Sequence, residues 1–235
     1  MPDQDSRAQV VLGGRILAQH GNADLVWGHL AIRDPSGRGV WLKGSGLGFD
    51  EIAAENVQLV GFDGQLVEGT GSVHLERYIH TEVMRARPDV GCVIHTHPES
   101  AVTFASLGVP LQAVAHEATL FTPPDIARFT QTGELIRTME LGRAVADSLG
   151  QRNALLLVNH GSVVVGRDVA EAVFSAVMLE KACRMQLAAL SAAPSWPLHV
   201  SDDQEALRKR DTCYSPTQMR HGWEYLRRRA ERPAQ

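Results

Sequence analysis

The stretch GCVIHTHP, residues 91–98, joins a short apolar segment to a His-X-His pair. The run from Gly91 to Ile94 predicts a buried strand that ends directly at His95. Because side chains alternate along an extended backbone, His95 and His97 point to the same side of it. Two imidazoles so placed can hold one metal ion. This stretch therefore predicts both a strand of the central sheet and part of a metal site.

A third histidine has a similar setting later in the chain. The apolar run from Ala154 to Val158 predicts another buried strand, and Asn159-His160-Gly161 follows it. For one histidine alone, an ordinary strand-end position is the better interpretation. Two buried strands that each end in histidine favour one site made by His95, His97 and His160. Such imidazoles suit zinc, and also iron, cobalt or manganese when carboxylate or water completes the coordination sphere.

Glu76 lies on the first turn of a helix predicted over residues 75–87, just before the His-X-His strand. Taken alone, it reads as a solvent-facing charge stabilised by the helix dipole. Beside a metal ion, a carboxylate can instead be a ligand when no substrate is bound and a general acid or base once substrate displaces it. Both interpretations stay open from the residue alone.

The rest of the chain predicts mixed helices and strands. Asp63-Gly64 predicts the turn of a hairpin, and residues 109–137 read as irregular. We expect one domain over residues 1–235, in which the tail 193–235 packs on a neighbouring subunit. The predicted helices cover residues 6–20, 75–87, 100–107, 140–149, 170–190 and about 223–232, and the other predicted strands cover residues 30–33, 39–43, 56–60, 65–67, 154–158 and 162–165.

Composition excludes several classes of protein. The 235 residues are 44% hydrophobic and carry a formal charge of −4, so no basic field attracts nucleic acid. No apolar run approaches the roughly 18 residues that span a bilayer, and the polar, acidic start is unlike a signal peptide. Three widely spaced cysteines (Cys92, Cys183 and Cys213) form no disulfide framework. We expect a cytoplasmic protein with a small-molecule substrate and neither a nucleic-acid nor a membrane partner.

Five motifs, in order, resemble the class II aldolase/adducin family over roughly residues 8–190. This family includes fuculose-phosphate aldolase, ribulose-phosphate epimerase and enzymes that decarboxylate dihydroxyphthalate. The motifs are GHLAIRD at 28–34, KGSG at 43–46, Glu76 followed by His80, RPD at 87–89 with HTHP at 95–98, and NHG at 159–161.

The resemblance implies a fold, an assembly and a site. The fold is a three-layer α/β/α sandwich around a mostly antiparallel central sheet. The assembly is a homotetramer with active sites between subunits. The site holds one divalent metal ion on His95, His97 and His160, with Glu76 as the catalytic residue.

Two positions depart from the sugar-phosphate aldolases of this family. Those enzymes have an asparagine at the position of His29 and a Ser-Ser pair before the glutamate, where this chain has His74-Leu75. A leucine cannot donate a hydrogen bond, so much of the phosphate-binding site is lost. Imidazolium and hydroxyl donors suit a planar carboxylate instead, which makes His29, Ser45 and His74 candidate contacts for a substrate carboxylate.

Two further parts of the substrate site are less sharply defined by sequence. The glycine-rich loop 44–48 can bind an anion through its backbone N–H groups, Gly46 among them, although a plain tight turn fits the pattern equally well. The family's catalytic tyrosine has no clear counterpart here. His116 is the nearest candidate, and Tyr214, His221 and Tyr225 of the tail are alternatives that would act from a neighbouring subunit.

Three functions remain, and the first is favoured. It is a carboxy-lyase for a non-phosphorylated aromatic or dienoic hydroxy acid, as in aromatic compound catabolism. The second is an aldolase or epimerase for a small hydroxy-aldehyde, sugar acid or sugar phosphate. The third, a non-catalytic scaffold like adducin, would have no need to keep three histidines and Glu76.

Overall fold

The computed structural model describes residues 2–192, 195 and 197–232. Eight strands within these residues form one sheet. Its order is β4-β3-β2-β1-β5-β8-β7-β6. Neighbouring strands are antiparallel except β6 and β7, which are parallel. The strands are β1 (His29–Arg33), β2 (Gly39–Lys43), β3 (Val57–Gly61), β4 (Leu66–Glu68), β5 (Cys92–Thr96), β6 (Ala127–Phe129), β7 (Ala154–Leu157) and β8 (Gly161–Gly166).

Helices cover both faces of the sheet. The described helices are α1 (Pro2–Gln19), α2 (Arg77–Ala86), α3 (Glu99–Leu107), α4 (Met139–Leu149), α5 (Val169–Ala192), α6 (Asp203–Cys213) and α7 (Pro216–Ala230). One face packs against α2 and α4, and the other against α1, α3 and α5. Among these helices, none combines the length and the low polarity that crossing a bilayer requires.

The side chains of strand β5 alternate between the two faces of the sheet, and this explains why the sheet needs two helical layers. Cys92 and Ile94 enter the core under α1, α3 and α5, whereas Val93 enters the core under α2 and α4. Successive side chains point to opposite faces, so an all-apolar strand must be covered twice. Burying each large aliphatic side chain stabilises the fold by about 1.5–3 kcal/mol. The expected three-layer α/β/α sandwich around a mostly antiparallel sheet is confirmed.

Several predicted boundaries were wrong. Strand β5 continues through His95, because His95 pairs with His29 of β1 and Val163 of β8. Helix α2 begins at Arg77, and Leu75 is 58% exposed instead of lying on the buried side. The region 109–137 contains β6 and a short 3-10 helix, His116–Leu120, which are too short for a periodic signal.

The C-terminal tail packs on the body of its own chain. Helix α6 lies against the 3-10 helix His116–Leu120, and the Arg210 guanidinium donates to the Pro123 carbonyl at 2.7 Å. Helix α7 packs on α1 and α5 and buries Leu226 and Ala230. Tail residues 193, 194, 196 and 233–235 lie outside the described residues. Packing of the tail on a neighbouring subunit stays a prediction.

Candidate metal centre

Glu76, His95, His97 and His160 lie together where the central strand β5 ends and the central strand β8 begins. Each offers one ligand atom, and these atoms lie within 4.8 Å of one another. The Nε2 atoms of His95 and His97 are 3.1 Å apart. The Glu76 carboxylate lies 3.4 Å from His95 Nε2 and 3.4 Å from His160 Nε2. The structure thus brings the three predicted ligands and the predicted catalytic carboxylate to one point.

Strand pairing produces this convergence. Because β8 pairs with β5, the turn that precedes β8 lies beside the end of β5 and places His160 next to His95 and His97. Asn159 has a φ of 61° in this turn, a left-handed conformation that asparagine tolerates. Gly161 is needed for close approach, since a Cβ there would lie 2.6 Å from His97 Cδ2. These contacts give the Asn159-His160-Gly161 motif a local physical cause.

The rings of His95 and His97 are oriented through their other nitrogens. His95 Nδ1 lies 3.0 Å from the Ser162 carbonyl, and His97 Nδ1 lies 2.9 Å from Asp24 Oδ2. Both partners are acceptors, so in the neutral form of each ring the proton lies on Nδ1. Both Nε2 atoms then present lone pairs to each other, an arrangement that a shared cation stabilises. Burial and the neighbouring His95 lower the pKa of His97, although Asp24 opposes this.

Asp24 is a site residue that sequence reasoning missed. It lies on the loop before β1, far from His97 in the chain, and nothing in its local sequence marks it. Partners of this kind commonly fix the tautomer and orientation of a metal-binding histidine. Only the folded chain reveals the pair.

Glu76 is held as an ionised carboxylate. Burial raises its pKa, but the neighbouring His160, His29 and His95 outweigh burial and leave the pKa well below the ordinary value. The backbone N–H of Ile136 also donates to Glu76 Oε1 at 2.8 Å. Glu76 precedes the first helical residue of α2, so it lies at the helix end and faces the cluster instead of solvent.

His29 and His74 lie next to the cluster, but as neutral rings. Burial and the neighbouring His74 lower the pKa of His29 well below its usual value. Burial, with the Lys43 ammonium nearby, lowers the pKa of His74 to about 3. The interior thus disfavours the imidazolium form of both rings, and their contact with a substrate carboxylate stays a prediction.

A cavity of about 850 Å³ opens beside the four residues. Four of the candidate substrate contacts line it: Ser45, Gly46, His29 and His74. The remaining wall is largely apolar, and its charged members (Asp24, Glu76 and Glu99) are all acidic. No lysine or arginine lines the cavity within the described part of the chain. The apolar lining residues are Val26, Trp27, Leu75, Val102 and Leu135.

Lys43 supports this wall from behind. Its buried ammonium donates to the carbonyls of Val26 and Leu47. These carbonyls belong to the loop before β1 and to the glycine-rich loop 44–48. Burial lowers the pKa of Lys43 to about 8, against the effect of Glu51. The side chain joins two loops that face the cavity.

Four candidate residues do not line the cavity of their own chain. His116 is exposed on the 3-10 helix His116–Leu120. Tyr214 packs against Phe174 with ring centroids 6.0 Å apart, and burial raises its pKa. His221 and Tyr225 lie on α7. Their action from a neighbouring subunit stays a prediction.

Sequence comparison finds one family. The model of the family described as "Class II Aldolase and Adducin N-terminal domain" matches residues 8–187. A putative aldolase class 2 protein, PA3430, from Pseudomonas aeruginosa is 30% identical over 75% of this chain and 68% of that protein. The meiotically up-regulated gene 14 protein of Schizosaccharomyces pombe is 28% identical over 74% of this chain and 68% of that protein.

Solved structures have the same architecture. The L-fuculose 1-phosphate aldolase from Glaciozyma antarctica is 27% identical, with a TM-score of 0.84 over 97% of this chain and 89% of that one. An aldolase II superfamily protein from Pseudomonas syringae is 23% identical, with a TM-score of 0.87 over 98% of this chain and 93% of that one. Because its sequence identity is only 23%, the protein from Pseudomonas syringae supports the fold of this chain and nothing further.

Proposed function

This chain belongs to the class II aldolase and adducin family, and we infer that it is a metal-dependent carbon–carbon lyase. We propose that His95, His97 and His160 bind one divalent ion. The observation that carries this proposal is the 3.1 Å approach of the His95 and His97 Nε2 atoms, whose lone pairs repel unless a cation lies between them. Zinc suits three imidazoles best, and manganese, iron or cobalt are the alternatives.

Glu76 is proposed to move the proton. A bound divalent ion would lower the cost of negative charge that develops on adjacent substrate oxygens. Because Glu76 is ionised, it enters the reaction as a base and takes a proton from a substrate hydroxyl. It then returns that proton to the carbon from which the bond has broken. General acid–base catalysis of this kind contributes about 10²–10⁴-fold in rate.

The proposed substrate is a non-phosphorylated aromatic or dienoic hydroxy acid, and the proposed reaction is its decarboxylation. The apolar wall formed by residues such as Trp27, Leu75 and Leu135 suits a planar hydrocarbon body. A phosphate dianion would need cationic or several donor groups, whereas the charged residues of the described wall are acidic. The Ser45 hydroxyl and the backbone of Gly46 are proposed to donate to the substrate carboxylate.

Release of CO2 tests this reaction. The purified protein, loaded with zinc or manganese, would be offered a panel of aromatic dihydroxy acids and a panel of sugar phosphates. We expect CO2 from at least one acid and no aldehyde from the sugar phosphates. Cleavage of a sugar phosphate with no CO2 from any acid would overturn the decarboxylase proposal.

An aldolase or epimerase is the second candidate. The likeness to the fuculose-phosphate aldolase from Glaciozyma antarctica favours it, since the same metal ligands and Glu76 would serve aldol cleavage. The two candidates differ at the substrate's distal end, where an aldolase of that kind must hold a phosphate. Product analysis of the two panels distinguishes them directly.

We also propose a homotetramer in which neighbouring subunits complete the cavity. Trp27 is 55% exposed and Leu135 is 45% exposed at the cavity, and a neighbouring subunit would cover this apolar surface. Light scattering on the purified protein measures the assembly. A monomer with full activity would contradict this proposal.

Asp24→Asn is expected to weaken metal binding about 10–100-fold, the usual effect of losing an outer partner of a metal-binding histidine. The amide no longer favours a proton on His97 Nδ1 as strongly as the carboxylate does. Competition with a chelator of known affinity measures the change. Asp50→Asn, an exposed change outside the cavity, is the matched control. Equal affinity of the two variants would mean that Asp24 does not support the site.

Leu75→Ser is expected to lower kcat/KM for the aromatic acid about tenfold, the effect of one altered apolar contact in a pocket. Leu75 is an exposed wall residue, so the fold should tolerate the change. Steady-state kinetics measures kcat/KM for the variant and for the wild type. Leu66→Ser on β4 is the control, because Leu66 is also exposed but does not line the cavity. An unchanged kcat/KM would contradict the proposed apolar contact.

A further inference from the structure

The backbone N–H of Ile136 holds one oxygen of the Glu76 carboxylate. It donates to Glu76 Oε1 at 2.8 Å, and both residues are buried. The nearest histidine nitrogens lie 3.4 Å or more from the carboxylate, so this bond is its shortest polar contact in the described structure. Ile136 belongs to the segment 130–138 between β6 and α4, 60 positions from Glu76 in the chain. A distant loop therefore orients the carboxylate.

Two contacts fix the position of this N–H group. The Ile136 side chain is fully buried in the core under α2 and α4, although most of its neighbours in the segment 130–138 are exposed or half-buried. Gly133 packs closely on the turn that bears His160, since a Cβ there would lie 3.3 Å from Asn159 Cβ. The segment is thus held both by the core and by the cluster that it serves.

The two oxygens of Glu76 consequently differ. Oε1 accepts from the Ile136 N–H, whereas Oε2 accepts no hydrogen bond from the described residues. Oε2 lies 3.4 Å from His95 Nε2 and 3.9 Å from Nε2 of His29, which lines the cavity. A donated hydrogen bond stabilises negative charge on Oε1 and so lowers the affinity of that oxygen for a proton. It also opposes the rotation that would exchange the two oxygens.

We propose that Ile136 is a positioning residue, whose N–H holds Glu76 Oε1 and leaves Oε2 as the atom that takes the proton of the substrate hydroxyl. This inference rests on the proposed role of Glu76 as the base. The O–H bond of the substrate breaks, its electron pair stays on the substrate oxygen, and the proton bonds to Oε2. Its later transfer to carbon restores the carboxylate, which the Ile136 N–H has kept in place.

Amide hydrogen exchange tests the contact without any need for activity. In protein labelled with 15N-isoleucine, we expect the Ile136 amide to exchange about 10–100-fold faster in Glu76→Leu than in the wild type, the usual strength of a hydrogen bond to a charged group. Glu76→Gln should lie between them, because its amide oxygen accepts but carries no charge. The Ile79 N–H donates to the backbone carbonyl of Glu76 and is the internal control, with unchanged exchange. Equal exchange of Ile136 in Glu76→Leu and the wild type would overturn the proposal.

An ester in place of the Ile136 amide removes the donor and keeps the side chain. The α-hydroxy acid analogue of isoleucine, introduced by amber suppression, makes this change. We expect kcat to fall about tenfold, while KM and zinc affinity stay within about threefold, because only the orientation of Glu76 is lost. The same replacement at Leu141 is the control, since its N–H also donates to a side-chain oxygen, Thr138 Oγ1 at 3.3 Å, away from the cavity. An equal loss of kcat at both positions would contradict the proposal.

A double-mutant cycle separates positioning from general damage to the loop. In the Glu76→Gln background, the ester at Ile136 should change kcat less than about twofold, because the side-chain amide can turn and donate to the ester oxygen. The same tenfold loss in both backgrounds would show that the ester acts on something other than Glu76. If the enzyme turned over neither substrate panel, the proposed function would fail, whereas amide exchange would still decide whether Ile136 holds Glu76.

Discussion

His160→Ala is expected to lower the affinity for a divalent ion by more than about 100-fold, because loss of a ligand must exceed the 10–100-fold cost of losing an outer-shell partner. Neither ring nitrogen of His160 has a hydrogen-bond partner in the described structure, so the substitution breaks no other such bond. Activity should fall with metal occupancy. Equilibrium dialysis against zinc, followed by metal analysis, measures the affinity.

The matched control for this variant is His199→Ala. His199 is an exposed histidine outside the cluster, so its loss should leave the metal affinity unchanged. Circular dichroism would show that both variants remain folded. If the zinc affinity of His160→Ala stayed within about threefold of the wild type, the three-histidine site would be wrong. Such a change is smaller than the effect of losing even an outer-shell partner of a ligand.

Glu76→Gln is expected to lower kcat about 10²–10⁴-fold, the usual contribution of a general acid or base. The amide oxygen can still accept from the Ile136 N–H, so the local backbone should keep its position. The three histidines remain, and metal affinity should change far less than kcat. Steady-state kinetics at saturating metal, with a parallel metal titration, separates the two effects.

Glu140→Gln removes an exposed carboxylate on α4 and serves as the control, with activity expected at the wild-type level. If Glu76→Gln kept kcat but lost metal, Glu76 would be a ligand and not the proton carrier. If it lost neither, the proposed role of Glu76 would be wrong. Both results differ from the outcome expected for His160→Ala.

Local sequence patterns determined much of the fold. The apolar runs around Val93 and Leu156 require strands that are covered on both faces, and helix α4 follows from its periodic apolar positions. The Asp63-Gly64 hairpin turn is present, with Gly64 at a φ of 82°. These features depend on neighbours in the chain, so a linear pattern is sufficient to predict them.

Patterns of this kind were insufficient where an element depends on distant partners. Strand β6 has three residues and exists through pairing with β7, so its own sequence carries no periodic signal. Leu75 looked like a core residue because its spacing matched Ile79 and Val83, yet the helix begins two residues later. Helix spacing says which residues share a face only where the helix has already formed.

For the site, the sequence by itself identified the residues with chemistry: His95, His97 and His160 stood out by type and local setting, and Glu76 through the resemblance to the family. Tertiary structure decided what surrounds them. The partner of His97 is Asp24, and that of His29 is His80, each brought from a distant part of the chain. The same folding buried His29 and His74 and made them neutral. Burial and hydrogen-bond direction are properties of the space around a side chain, and a linear sequence does not specify that space until the strands have paired.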